Sequence, residues 1–259
     1  MKLARRSWGQ DGRPLAVLVH GVSGSSRTWW RVGPWFAEKG WHAIAVDLRG
    51  HGASPRAPYS LTLDDLAKDL YDTTRELLDH AKKIDVLLGH SLGALTALKL
   101  CQEHGDPVQR LVLEEPPGSE NSDFDEVASM VESDVVRARE APEEMRREQL
   151  KENPSWTEED AANNVASLRE CDAGPIAEVI RNGLHYDLTT LVGSVEIPTL
   201  LVLGSEEQGS ALPEPERTSI EKVLCRGKVA VFDAGHGVHR EDFEGYVRLL
   251  GEWLGEPNH

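Results

Sequence analysis

The chain has 259 residues, 39% of them hydrophobic, and its 28 Lys+Arg against 44 Asp+Glu give a formal net charge of −16. At roughly 100–200 residues per domain this is one large α/β domain or two small ones, either with a full core, so neither a disulfide nor a structural metal is needed for size. A charge this negative repels phosphate backbones and anionic lipid, which argues against nucleic-acid or membrane-surface binding; the acid excess reads as solubility. Cys101, Cys171 and Cys225 are odd in number and far apart, so they form neither a disulfide framework nor a CxxC metal pair. The leading MKLARRSWGQDGRP carries no apolar stretch of about seven residues, and no later run approaches about 18. The expectation is a soluble cytoplasmic protein, a monomer or homodimer.

Taken in chain order, a first short strand fits at 2–8, turning at Gln10-Asp11-Gly12, followed by an apolar run, LAVLVHG, at 15–21. Helical spacing then covers 26–39, a second run HAIAVDLRG covers 42–50, and helical spacing returns at 62–80. IDVLLGH at 84–90 leads into a helical stretch at 92–104, and VQRLVLEE follows at 108–115. After a long interruption come PTLLVLG at 198–204, a helix at 214–224, GKVAVFDAG at 227–235 and a helix at 240–254. Runs that lack polar alternation suit strands buried on both faces. Strand alternating with helix predicts an α/β fold: a mostly parallel, twisted sheet of about seven strands, with helices on both faces and a site at the carboxyl ends of the strands.

The interruption at 116–196 is rich in charge and holds no convincing strand. Its helical candidates are 124–140, 143–152, 157–168 and 175–182, separated at Pro116-Pro117-Gly118, Asn153-Pro154 and Gly174-Pro175. Because the strand pattern resumes at Pro198, this is a helical insertion into one domain whose core is 1–115 with 197–259.

The strand IDVLLGH runs into Gly89-His90-Ser91-Leu92-Gly93 and then a helix. G-x-S-x-G is modest evidence alone, but between a buried strand and a helix it specifies a nucleophile elbow, where the glycines remove side chains that would clash on a strained turn. A serine hydroxyl needs an imidazole within reach and a carboxylate to orient it. Of ten histidines, only His236, His239 and His259 follow the last strand, and His236 stands directly at its end. His239 reads as a helix-start or pocket-rim residue. The tetrahedral oxyanion formed by attack needs preorganised N–H donors, one of which is the backbone N–H of Leu92 at its helix start.

These motifs, with His20-Gly21 closing a strand, Asp47-Leu48-Arg49-Gly50-His51-Gly52-Ala53-Ser54 after the next and Gly235-His236 after the last, resemble the α/β-hydrolase superfamily, in particular its small capped serine hydrolases such as carboxylesterases and C-C hydrolases. The resemblance spans nearly the whole chain outside the insertion. It implies the order Ser, acid, His, with Ser91 as nucleophile and His236 as base. It places the acid three residues beyond Gly204, at Glu207, where relatives usually carry Asp; Glu206 beside it is an alternative, as are Glu114 and Glu115 after the preceding strand. Asp47 falls in a structural turn. The second oxyanion donor is assigned to the N–H of Val22, and a phosphate cradle at Ser23-Gly24-Ser25-Ser26 lacks the Gly-Lys-Ser/Thr of a P-loop. An insertion after the superfamily's sixth strand is a cap that roofs the site.

Trp29, Trp30 and Trp35 read first as packing their helix on the sheet, with Trp29 and Trp30, nearest the site, and His90 as the candidate pocket residues; Phe124, Met130, Trp156 and Tyr186 are the aromatic and apolar side chains that the insertion adds. The histidines lack metal-ligand spacing and no cofactor motif is present, so the expected chemistry is cofactor-free and metal-free. The function expected is hydrolysis of small or medium carboxylic esters through an acyl-enzyme on Ser91. C-C bond hydrolysis and cofactor-free perhydrolysis use the same constellation, and a non-catalytic small-molecule receptor is the alternative from another class. Epoxide hydrolases and dehalogenases need Asp where Ser91 stands.

Overall fold

A computed structural model describes residues 1–78, 83–105, 107–119 and 123–255. The expected end of one helix at His80, and His259, lie outside them. Among the described residues seven strands, β1 (Arg5–Trp8), β2 (Leu15–Val19), β3 (His42–Val46), β4 (Ile84–His90), β5 (Val108–Glu114), β6 (Thr199–Leu203) and β7 (Gly227–Val231), form one sheet in the order β1-β3-β2-β4-β5-β6-β7. Only β1 is antiparallel to its neighbour. β2 and β6 are buried at every residue, as their unbroken apolar runs require. The two edges differ: β1 reads RRSW and β7 carries Lys228, charges that blunt an unpaired edge.

Successive residues of the central strands feed two cores. Val17, Val19, Ile44, Leu87, Leu111 and Leu201 face one side, with α2 (Leu63–Arg75) and α3 (Leu92–His104). Leu18, Ala43, Ala45, Leu88, Val112 and Val202 face the other, against Phe36 of α1 (Val32–Glu38) and Tyr246 and Leu250 of α11 (Phe243–Leu254). Fully burying such a side chain contributes roughly 1.5–3 kcal/mol, which offsets the entropy of ordering the strands. Sheet position is therefore fixed on both faces.

The expected helix at 26–39 is split into a tight turn, Ser26–Trp29, and α1. Pro34 explains the late start, because proline is tolerated in a helix's first turn but not further in. Between β5 and β6 run α4 (Phe124–Glu140), α5 (Pro142–Glu152), α6 (Glu158–Arg169), α7 (Ala173–Glu178), a wider turn at Val179–Gly183, and α8 (Leu188–Gly193). α6 opens on a capping box in which Thr157 and Asp160 satisfy each other's backbone N–H groups. α8 has no counterpart in the sequence reading: its LTTLVG is β-branched and short, and Asp187 starts it by accepting from the Thr190 N–H. After β6 come a one-turn helix at Glu206–Gln208 and α9 (Glu216–Val223), and after β7 comes α10 (Val238–Glu241). Asp242 accepts from the Gly245 N–H and so separates α10 from α11, where one helix was expected. Among the described residues, no helix is long and apolar enough to cross a membrane.

Candidate active site

β4 delivers Ser91 at its carboxyl end in a conformation few L-residues adopt, φ 52° and ψ −118°. The flanking glycines are obligatory. A Cβ at Gly89 would lie 2.3 Å from the Gly93 carbonyl oxygen, and one at Gly93 would lie 2.3 Å from that of Val19. Among the described residues, Ser91 and Glu115 are the two non-glycine residues with positive φ, and both fall here. Backbone strain of this kind costs about 1–3 kcal/mol and persists where its surroundings over-determine it.

Ser91 and His236 line one cavity of about 880 Å³, walled by the loops after β2, β4, β6 and β7 and by helices of the insertion. Neither Ser91 Oγ nor His236 Nε2 hydrogen-bonds to a protein group among the described residues, an open arrangement that commonly tightens when substrate binds. The His236 Nδ1–H donates to Glu115 Oε2 at 3.1 Å. Glu207, the acid expected from the resemblance, is not beside His236. It sits exposed in the one-turn helix Glu206–Gln208, and Glu206 is turned away to accept from the Glu214 N–H.

The loop after β6 has a different task. Glu115 Oε1 accepts from the Gly204 N–H and the Ser210 hydroxyl, each at 2.7 Å, and Oε2 accepts from the Ala211 N–H at 2.6 Å. Arg217 braces this cradle by donating to Gly204 O, Ser210 Oγ and Leu212 O. Burial pushes the Glu115 carboxyl upward, but the His236 contact and these donors outweigh it and hold its pKa below the ordinary value. A buried anion is thus ready for an imidazolium.

Next to it, Glu114 Oε1 accepts from both the backbone N–H and the Nδ1–H of His239, at 2.9 and 2.8 Å. Burial opposes the Glu114 charge, yet the His239 contacts bring its pKa down to about 2. The expectation of a rim position for His239 is corrected: it is 2% exposed, with its ring against Trp29. His90 donates Nε2–H to the His236 carbonyl at 2.8 Å, and burial pushes its pKa far down, so His90 itself adds no positive charge there. Its ring lies 4.8 Å from that of His236, centroid to centroid.

Val22 and Leu92 both line the cavity, and among the described residues neither backbone N–H donates to a protein acceptor. Both nitrogens of His51 face carbonyls, Val22 O at 2.8 Å and Arg49 O at 3.1 Å, which pins the Val22 loop. Such a pairing suits a doubly protonated ring. Burial works against that charge, but the Cys171 sulfur and the two carbonyls raise the His51 pKa to about 9.

Of the expected pocket residues only His90 lines the cavity. Trp29 is fully buried beneath it, and the Trp30 Nε1–H is committed to Asp160 of α6 at 2.8 Å. The aromatic side chains that do line it are Phe124 and Trp156, and Arg240 joins them. Arg240 carried no motif; its only signal is its place four residues after His236.

The family model described as the alpha/beta hydrolase fold matches residues 14–242. Protein ABHD8 of Bos taurus is 35% identical over 107 residues, 40% of this chain, and the match spans about a quarter (24%) of that relative's length. N-formylmaleamate deformylase of Pseudomonas putida is 26% identical over 258 residues, covering 96% of this chain and 91% of that protein. The crystal structure of E-2-(acetamidomethylene)succinate hydrolase superposes with a TM-score of 0.82 at 21% identity, covering 97% of this chain and 94% of that one, a likeness of fold.

Proposed function

Starting from the alpha/beta hydrolase fold family, to which this chain belongs, we propose that it is a serine hydrolase that cleaves carboxylic esters through an acyl-enzyme on Ser91, with His236 as base and Glu115 as the orienting acid. The observation that carries this reading is the line from the strained Ser91 elbow to a His236 ring whose far nitrogen is held by a fully buried, four-fold hydrogen-bonded carboxylate.

His236 Nε2 takes the Ser91 proton as Oγ bonds to the carbonyl carbon. The carbonyl oxygen becomes an oxyanion in front of the Val22 and Leu92 N–H groups, where the start of α3 also favours negative charge. Glu115 keeps the Nδ1–H tautomer and stabilises the imidazolium without taking the proton. Collapse of the tetrahedral species breaks the carbon–oxygen bond to the leaving alcohol, which receives the proton from Nε2. Water, deprotonated by the same nitrogen, then attacks the acyl-enzyme, releasing the acid and restoring Ser91.

The deformylase relative, which aligns over nearly the whole chain, supports amide substrates as a second reading of the same machinery. Two measurements test the proposal. A fluorophosphonate probe is expected to label Ser91, and hydrolysis of short p-nitrophenyl esters is expected to fall at least about 10³-fold in Ser91→Ala. Turnover unchanged in that variant would refute it.

A further inference from the structure

Arg240 is the first arginine or lysine in the chain after His236, and it enters the same cavity from α10. Its guanidinium carbon lies 4.7 Å from the centre of the Trp156 ring, which comes from the connection between α5 and α6. A guanidinium offers five donors. Among the described residues none of them meets an acceptor, and no carboxylate lies within ion-pair distance.

The nearby acids are all engaged elsewhere. Asp160 accepts from Trp30 and from Thr157, Glu114 from His239, and Glu241 from the Gly235 and Gly237 N–H groups. The Trp156 Nε1–H is also buried without an acceptor. Burial disfavours the Arg240 charge and lowers its pKa, so the group is a half-desolvated cation that the protein itself leaves unmatched. A ligand anion would complete it.

We propose that Arg240, backed by the Trp156 ring, receives a carboxylate on the substrate, so that the preferred esters carry a free carboxylate away from the scissile carbonyl. One planar guanidinium matches one carboxylate through two parallel hydrogen bonds, and an aromatic face behind it fixes the plane. A dianionic phosphate fits less well: the wall also carries Asp134, Glu152, Asp233 and Glu241, and one cation cannot offset them and a second ligand charge. The proposal rests on Ser91 chemistry for its substrates but not for its binding.

The test uses monoethyl esters of linear dicarboxylic acids from malonate to suberate, each beside the neutral analogue whose carboxylate is replaced by a methyl ketone. In wild type, at least one acid should exceed its ketone in kcat/KM by about tenfold or more, through KM. Arg240→Gln should bring that ratio close to one, and Arg240→Lys should retain part of it. Calorimetric titration of the same pairs into Ser91→Ala reads binding without turnover, with the acid bound more tightly than the ketone. No preference for the carboxylate at any chain length, or a preference that survives Arg240→Gln, overturns the proposal. Acid-selective, Arg240-dependent binding in a protein that hydrolyses none of the esters would uphold the anion receptor and refute the hydrolase reading.

Discussion

Two glutamate–histidine pairs stand side by side at the carboxyl edge of the sheet. Glu114 and Glu115 are consecutive, His236 and His239 are three residues apart, and each glutamate takes one imidazole. Their surroundings separate them. The His236 side chain is 40% exposed and opens on the cavity, whereas that of His239 is 2% exposed and sealed under Trp29. Glu115 satisfies both oxygens with four donors, while Glu114 Oε2 and His239 Nε2 are buried without a hydrogen bond among the described residues. The same residue pairing therefore stands in two settings: in the proposed mechanism one pair passes a proton to a substrate, and the other ties α10 to β5.

The comparison is broken most sharply by removing each carboxylate's charge in turn. Glu115→Gln is expected to lower kcat about 10³–10⁴-fold, because the amide no longer fixes the Nδ1–H tautomer or balances the imidazolium. Glu114→Gln leaves a buried imidazole without its anion, and is expected to cost about 3–5 kcal/mol of stability, read as a lower urea midpoint. Its kcat per folded molecule should fall by less than about tenfold.

A smaller effect lies in pH. Glu114 has a folded pKa of about 2 against an ordinary 4.5, so its contribution to stability is present above the ordinary value and is lost as pH falls toward about 2. Urea midpoints followed downward from neutral pH should drop more steeply over that window in wild type than in Glu114→Gln. Parallel curves would show that the sealed pair is not an ion pair.

Much of this molecule was legible in its sequence, and what was not has a common cause. Unbroken apolar runs gave the parallel strands, because burial on both faces demands them. Ser91 and His236 were legible because their signals are local: a glycine-flanked turn between strand and helix, and a histidine at a strand end. The acid was not, because its identity depends on where three loop donors arrive. Gly204, Ser210 and Ala211 lie 89, 95 and 96 residues from Glu115, and only the folded loop shows that it holds a carboxylate instead of supplying one. Trp29 and Trp30 stayed open between packing and pocket for the same reason, since proximity in sequence to the Val22 loop does not say which way an indole turns. Trp156 and Arg240 meet across the cavity from distant segments, and no spacing rule joins them.

The central claim is that the orienting carboxylate comes from the end of β5, not from the loop after β6. Measuring kcat for a p-nitrophenyl ester in Glu115→Gln and Glu207→Gln, prepared side by side and corrected for folded fraction, tests it most directly. The account predicts a loss of about 10³-fold or more in Glu115→Gln and a value within about twofold of wild type in Glu207→Gln. The reverse order would contradict it.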